Sequence, residues 1–170
     1  MRRRLVLTGV LVVILLAIAG GVAAAYRHVQ SEISPRQPIA FSHAVHAGTV
    51  GLDCLFCHRN ADKGDNASVP AAQQCMFCHQ TVALDNPEVQ KLRDYVDRNQ
   101  PIDWTRVYRV PDHVHFKHEP HIRAGVACQT CHGPVQTMQQ VYHYRNLRMG
   151  DCLDCHRAMN APTECSTCHY

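Results

Sequence analysis

Ten cysteines stand in this 170-residue sequence, and every one belongs to a Cys-x-x-Cys-His run: Cys54/Cys57/His58, Cys75/Cys78/His79, Cys128/Cys131/His132, Cys152/Cys155/His156 and Cys165/Cys168/His169. Two thiols at that spacing can add across the two vinyl groups of one porphyrin, and the histidine that follows can bind its iron from the proximal side. The pattern therefore reads as five covalent attachment sites for haem c. A zinc ribbon, a redox dithiol and a disulfide framework are weaker readings. Zinc thiolate sites do not require a histidine after every second cysteine, and one redox dithiol leaves four runs unexplained.

Five of the thirteen histidines belong to these runs, which leaves His28, His43, His46, His113, His115, His118, His121 and His143. A low-spin haem needs a second axial ligand. The supply sits largely in a repeated stretch, FSHAVHAGTVGLDCLFCH from Phe41 to His58 and FKHEPHIRAGVACQTCH from Phe116 to His132. His43 and His118 can close their own haems while His46 and His121 reach neighbouring ones. His28 reads as a side chain at a membrane interface.

These ligands have to be positioned by little polypeptide. The first cysteines of the runs fall at 54, 75, 128, 152 and 165, so a step of 21 residues in one half is echoed by 24 in the other, with a further run 13 residues on. That is a duplicated two-haem unit with one haem appended. Each porphyrin supplies an apolar body, so little aliphatic core is needed, and a loop-rich chain with short helices and almost no sheet is expected. The formal charge is +3, and five haems would add up to about ten propionates and turn the protein negative. The basic residues are then propionate partners and solvated surface, and nucleic-acid binding has no support.

In chain order, residues 1–26 read as a transmembrane signal anchor. Leu5 to Ala25 carries no charge over about 31 Å of helix, and Arg2, Arg3 and Arg4 should stay cytoplasmic and send the rest outward. A cleavable signal is the competing reading, on the small residues Val22 to Ala25. Residues 27–40 read as an extended linker, 41–85 as the first haem unit with two haems, 86–112 as a helix and connector, and 113–170 as the second unit with three. Asp62 to Pro70 is turn-rich and would bring the second run around the first porphyrin. Asn86 as N-cap, Pro87 in the first turn and apolar Val89, Leu92 and Val96 predict a helix that stops near Asn99. Trp104 reads as a packing residue.

The Phe-x-His-x-x-His element ahead of Cys-x-x-Cys-His resembles the class III multihaem cytochromes. That resemblance implies a mostly irregular and α-helical multihaem cytochrome c fold with a duplicated haem unit, preceded by one transmembrane helix. It implies that His43 serves the haem at Cys54, His118 the haem at Cys128, and His46 and His121 other haems. The order of the whole chain, with PIDWTRV, FKHEPHIRAGVACQTCHG and LRMGDCLDCHR, is similar to the pentahaem cytochrome subunit of alternative complex III, a bacterial quinol oxidoreductase. This implies partners: an iron-sulfur subunit, polytopic membrane subunits and a monohaem cytochrome. It also implies a single-pass protein of the inner membrane with its haem domain on the periplasmic side. His113 and His115 stand where that family has aromatic residues. Met149 matches a family methionine and is the first choice for the fifth distal ligand, with His143 as its competitor and Met138 as a third option. A thioether would raise that haem's potential.

The function expected is electron transfer from quinol along five closed irons to a periplasmic or oxidase acceptor, with no catalytic residue in this chain. The alternatives are a single-anchor multihaem quinol dehydrogenase and a multihaem reductase with one open iron. All five runs keep their histidine, which weighs against the reductase. No ionisable residue interrupts the apolar helix, which weighs against a quinol pocket of its own.

Overall fold

The computed structural model describes residues 2–170, with side chains described for residues 7–30 and 32–170. The side chains of Arg2, Arg3 and Arg4, invoked above for orientation, lie outside the described residues. Among the described residues eight α-helices follow one another: α1 (Arg2–Ile33), α2 (Cys54–Cys57), α3 (Ala72–His79), α4 (Pro87–Asp97), α5 (His118–Arg123), α6 (Cys128–His132), α7 (Met149–Ala158) and α8 (Cys165–Cys168). A π-helical turn (Ala44–Thr49) and a 3₁₀ turn (Val135–Thr137) complete the elements. There is no strand among the described residues.

Within α1 the 24 residues Leu7–Gln30 are long and apolar enough to cross a membrane, and none of that stretch is covered by the rest of the chain. The helix runs on past the apolar stretch to Ile33, so residues 27–33 are helical where an extended link was expected. Polar Arg27, His28 and Gln30 are ordinary helix formers that nothing here interrupts. The helix end is stitched down: Ile33 O accepts the His143 N–H at 2.7 Å, Ser34 Oγ donates to Val141 O at 3.1 Å, and Gln140 Nε2 donates to Ser34 O and Pro35 O at 3.0 Å.

Helix α4 forms where its caps predict. Asn86 accepts from the Glu88 N–H at 2.8 Å, Pro87 opens the first turn, and Asn99 ends the helix in the left-handed region at φ 51°. The Asn99 and Gln100 N–H groups bond Val96 O and Tyr95 O, the paired bonds of a Schellman ending. Its apolar face packs on α3: Ile39, Ala72 and Leu92 are buried together, with Cys75, Met76, Tyr95, Val96, Ile102 and Trp104 around them. Across the described residues, Ala61, Val89 and Met138 are the only other buried apolar side chains. No other core forms, and Phe56, Phe77, Val82 and Leu84 stand exposed about the first two runs.

The two halves clasp each other. From the first, the Ala44 N–H donates to Met138 O at 2.9 Å and Ser42 Oγ to Gln139 at 2.7 Å. From the second, the His118 and Glu119 N–H groups donate to Asp65 O and Gly64 O, both at 3.2 Å. Each repeated Phe-x-His-x-x-His element thus lies on the loop that follows the other half's first run. Gly48 sits against the Gln136 carbonyl, leaving no room there for a side chain.

Candidate haem sites

Each Cys-x-x-Cys run makes one helical turn, which sets its thiols three residues apart on one helix face. In α2, α6 and α8 the turn begins at the first cysteine, whereas Cys75 and Cys78 lie inside the longer α3, and Cys152 and Cys155 inside α7. Asp53 caps α2 by accepting the Leu55 N–H at 2.8 Å, and Asp151 opens α7 by accepting the Arg148 N–H at 3.0 Å.

None of the ten cysteines is spent on a disulfide: Cys54, Cys57, Cys75, Cys78, Cys128, Cys131, Cys152, Cys155, Cys165 and Cys168. Their settings are not equal, although the sequence treats them alike. Cys75 and Cys131 are half-buried, while Cys78 and Cys155, each the second thiol of its run, stand exposed. The packing of α3 on α4 covers Cys75 and leaves Cys78, one turn on, outside the apolar cluster. Cys155 Sγ has Met159 Sδ one turn further on at 3.8 Å. Burial raises the thiols of Cys57, Cys75, Cys131 and Cys152, and that of Cys54 with help from neighbouring Cys128.

The imidazoles are oriented by backbone carbonyls. His58 Nδ1 meets Ser68 O at 2.6 Å, His79 meets Val82 O at 3.1 Å, His156 meets Pro162 O at 2.5 Å and His169 meets His113 O at 2.8 Å. Among the spare histidines, His46 meets Ser42 O at 2.8 Å, His118 meets Asp65 O at 2.8 Å and His121 meets Lys117 O at 2.7 Å. A carbonyl can only accept, so Nδ1 carries the proton and the Nε2 lone pair is left for a metal. His43 Nδ1 is buried without a partner, and burial first, then His58 and His46, push its pKa down to about 4. The imidazole is held neutral, as a metal ligand must be. His132 is likewise pushed down by burial and by His118, and the edge of Tyr108 lies 4.8 Å from it.

Three pairs of these rings face each other: His46 and His79 at 6.0 Å between centroids, His118 and His132 at 6.3 Å, and His121 and His156 at 5.9 Å. Two metal–nitrogen bonds of about 2 Å, plus about 1 Å from each nitrogen to its ring centre, span about 6 Å. The donor set and its spacing therefore fit a haem iron held between two imidazoles. The repeat is reproduced in detail. Phe41 lies 4.9 Å edge-on from His43 and 4.2 Å from His46, and Phe116 lies 4.9 Å edge-on from His118 and 4.7 Å from His121.

For the fifth site the placement differs. Met149 opens α7 and is 62% exposed. His143 lies tilted against Tyr108 at 4.6 Å between ring centres, and the same tyrosine meets His132 edge-on at 4.8 Å. Met138 is buried behind the clasp. The His113 ring lies 5.5 Å from that of His169, while His115 stacks on Tyr170 at 4.4 Å. Sequence reasoning missed the carbonyls. Those of Ser42 and Lys117, four residues before His46 and His121, could have been found from helical spacing, whereas Ser68, Asp65, Val82 and Pro162 carry no such signal.

Residues 21–102 match the class III cytochrome c family. The chain carries a class III cytochrome domain. The matched span holds the first two runs of this cytochrome, and the clasped second half lies beyond it. The cytochrome is also 29% identical over 160 residues to the multiheme cytochrome c subunit of menaquinone reductase from Nitratidesulfovibrio vulgaris (strain Hildenborough), across 78% of this chain and 76% of that one. It is a multihaem cytochrome c related to that subunit.

Proposed function

We propose that this cytochrome is the pentahaem electron-transfer subunit of a membrane-bound quinone oxidoreductase, anchored by α1 with its haem domain on the periplasmic face. Bound haem supplies one-electron exchange at iron. The chain supplies ten thiols for attachment, five proximal imidazoles (His58, His79, His132, His156, His169) and distal ligands that close each iron against other molecules. The observation that carries this reading is the set of three facing imidazole pairs near 6 Å. His46, His118 and His121 are their distal members, and His43, held neutral beside His58, serves the first site.

Met149 is the proposed fifth distal ligand. It opens the helix that carries Cys152, whose thiol is raised by burial first and then by Cys168 of the fifth site. The second reading, favoured by its ring 5.5 Å from His169, is His113. Met149→Leu should lower the highest haem potential and leave the others in place. The same loss in His113→Leu, with Met149→Leu silent, transfers the role to His113.

The likeness to alternative complex III supports quinol oxidation, with an iron-sulfur subunit, polytopic membrane subunits and a monohaem cytochrome as partners. The named relative favours the opposite direction, delivery to menaquinone. Mass measurement of the native chain should give five haem adducts, and the ferric spectrum should be low-spin with no carbon monoxide uptake after reduction. The purified complex should reduce an acceptor from a quinol analogue. Turnover only from a reduced donor to the quinone would reverse the direction, and fewer than five adducts would overturn the pentahaem reading.

A further inference from the structure

We infer that the five attachment sites follow one another in space in the order second, first, third, fourth, fifth, so that the path crosses between the halves at a first–third junction. The inference rests on the five-site reading above.

Short segments that serve two sites at once carry the argument. Within 43–46, His43 lies by His58 of the first site and His46 faces His79 of the second. Those two sites are also joined where Gln74 of α3 donates to Phe56 O of α2 at 2.7 Å. In the 62–70 loop, the Ser68 carbonyl orients His58 of the first site and the Asp65 carbonyl orients His118 of the third. Three residues of chain reach at most about 11 Å, so these two imidazoles cannot be far apart. The thiols agree, because Cys54 of the first site lies close enough to Cys128 of the third for the one to raise the other.

In α5, His118 and His121 are about 4.5 Å apart along the axis and face His132 and His156, which makes the third and fourth sites neighbours. The fifth site is tied to the start of that helix, and its Cys168 is near enough to Cys152 of the fourth site to act on it electrostatically. The 113–117 segment leading into α5 holds it in place: His113 O accepts from His169, and the His115 N–H donates to Cys168 O at 2.8 Å. The loop expected to wrap the first porphyrin therefore also binds the other half. The second and fifth sites are the ends.

The test is to locate the five irons in crystals of the full-length holo-protein by anomalous scattering. The expected result is a path in this order, with the first iron closer to the third than the second iron is. A second iron closer to the third than the first is would overturn the inference. Five irons in a different order would sink this inference alone, whereas fewer than five would sink the pentahaem reading itself. As an independent measurement, flash-reduced C54A/C57A protein should equilibrate electrons between the second site and the rest more than an order of magnitude slower than wild type. Equilibration with the second site as fast as in wild type would overturn the order.

Discussion

The two haem-binding halves repeat the packing of Phe41 and Phe116 on their paired histidines, yet they are braced differently. The first has an apolar cluster of its own in Ile39, Ala72 and Leu92, sealed by α4 and Trp104. In the second, Met138 is the only buried apolar side chain among the described residues, and it lies against the first half's His43–His46 segment. A chain this dense in cofactor sites needs a conventional core in only one half. The other takes its alignment from the clasp, and bound porphyrins would supply its apolar interior.

The contrast is broken most directly by withholding haem. Limited proteolysis of the unloaded chain should cut within 113–170 well before 36–104, and equal rates would show that the first half's cluster does not hold alone. Leu92→Ala should cost about 2–5 kcal/mol of chemical stability by cavity formation. It should also leave the absorbance of the third to fifth haems unchanged, because the loss is local to α4. Tyr108→Phe tests the second half. It removes the hydroxyl that accepts the Tyr144 N–H at 2.7 Å, and denaturant titration should show about 1 kcal/mol lost. Asn86→Ala should cost a similar amount, about 1 kcal/mol in the same titration, through the lost α4 cap. Smallest is Ser68→Gly. Ser68 sits at φ 61°, so the glycine should shift stability by less than about 1 kcal/mol, towards the folded state.

Much of this molecule was legible in its sequence because the informative residues carry strict local rules. Cys-x-x-Cys-His allows one helical turn, and Asn86-Pro87 followed by Val89 and Leu92 allows a capped helix with one buried face. The unreadable part is non-local. Nothing in DKGDNASVP announces that the carbonyls of Asp65 and Ser68 serve imidazoles of two different halves, since a backbone acceptor is the same in every residue type. Nor does the motif itself tell half-buried Cys75 from exposed Cys78, because the cover comes from α4. The end of α1 was misplaced for a related reason. Apolar composition marks where a membrane could end, but helix propensity and the bonds at Ile33 and Ser34 decide where the helix does.

That last joint has a mechanical side. The segment that receives the end of α1, residues 140–143, also carries His143 against Tyr108, and the same ring meets His132. The apolar helix is thus mounted on the globular part like a bracket, not hung from it on a leash. In the inferred order of sites, a partner lying beside that helix would meet the middle of the row before either end.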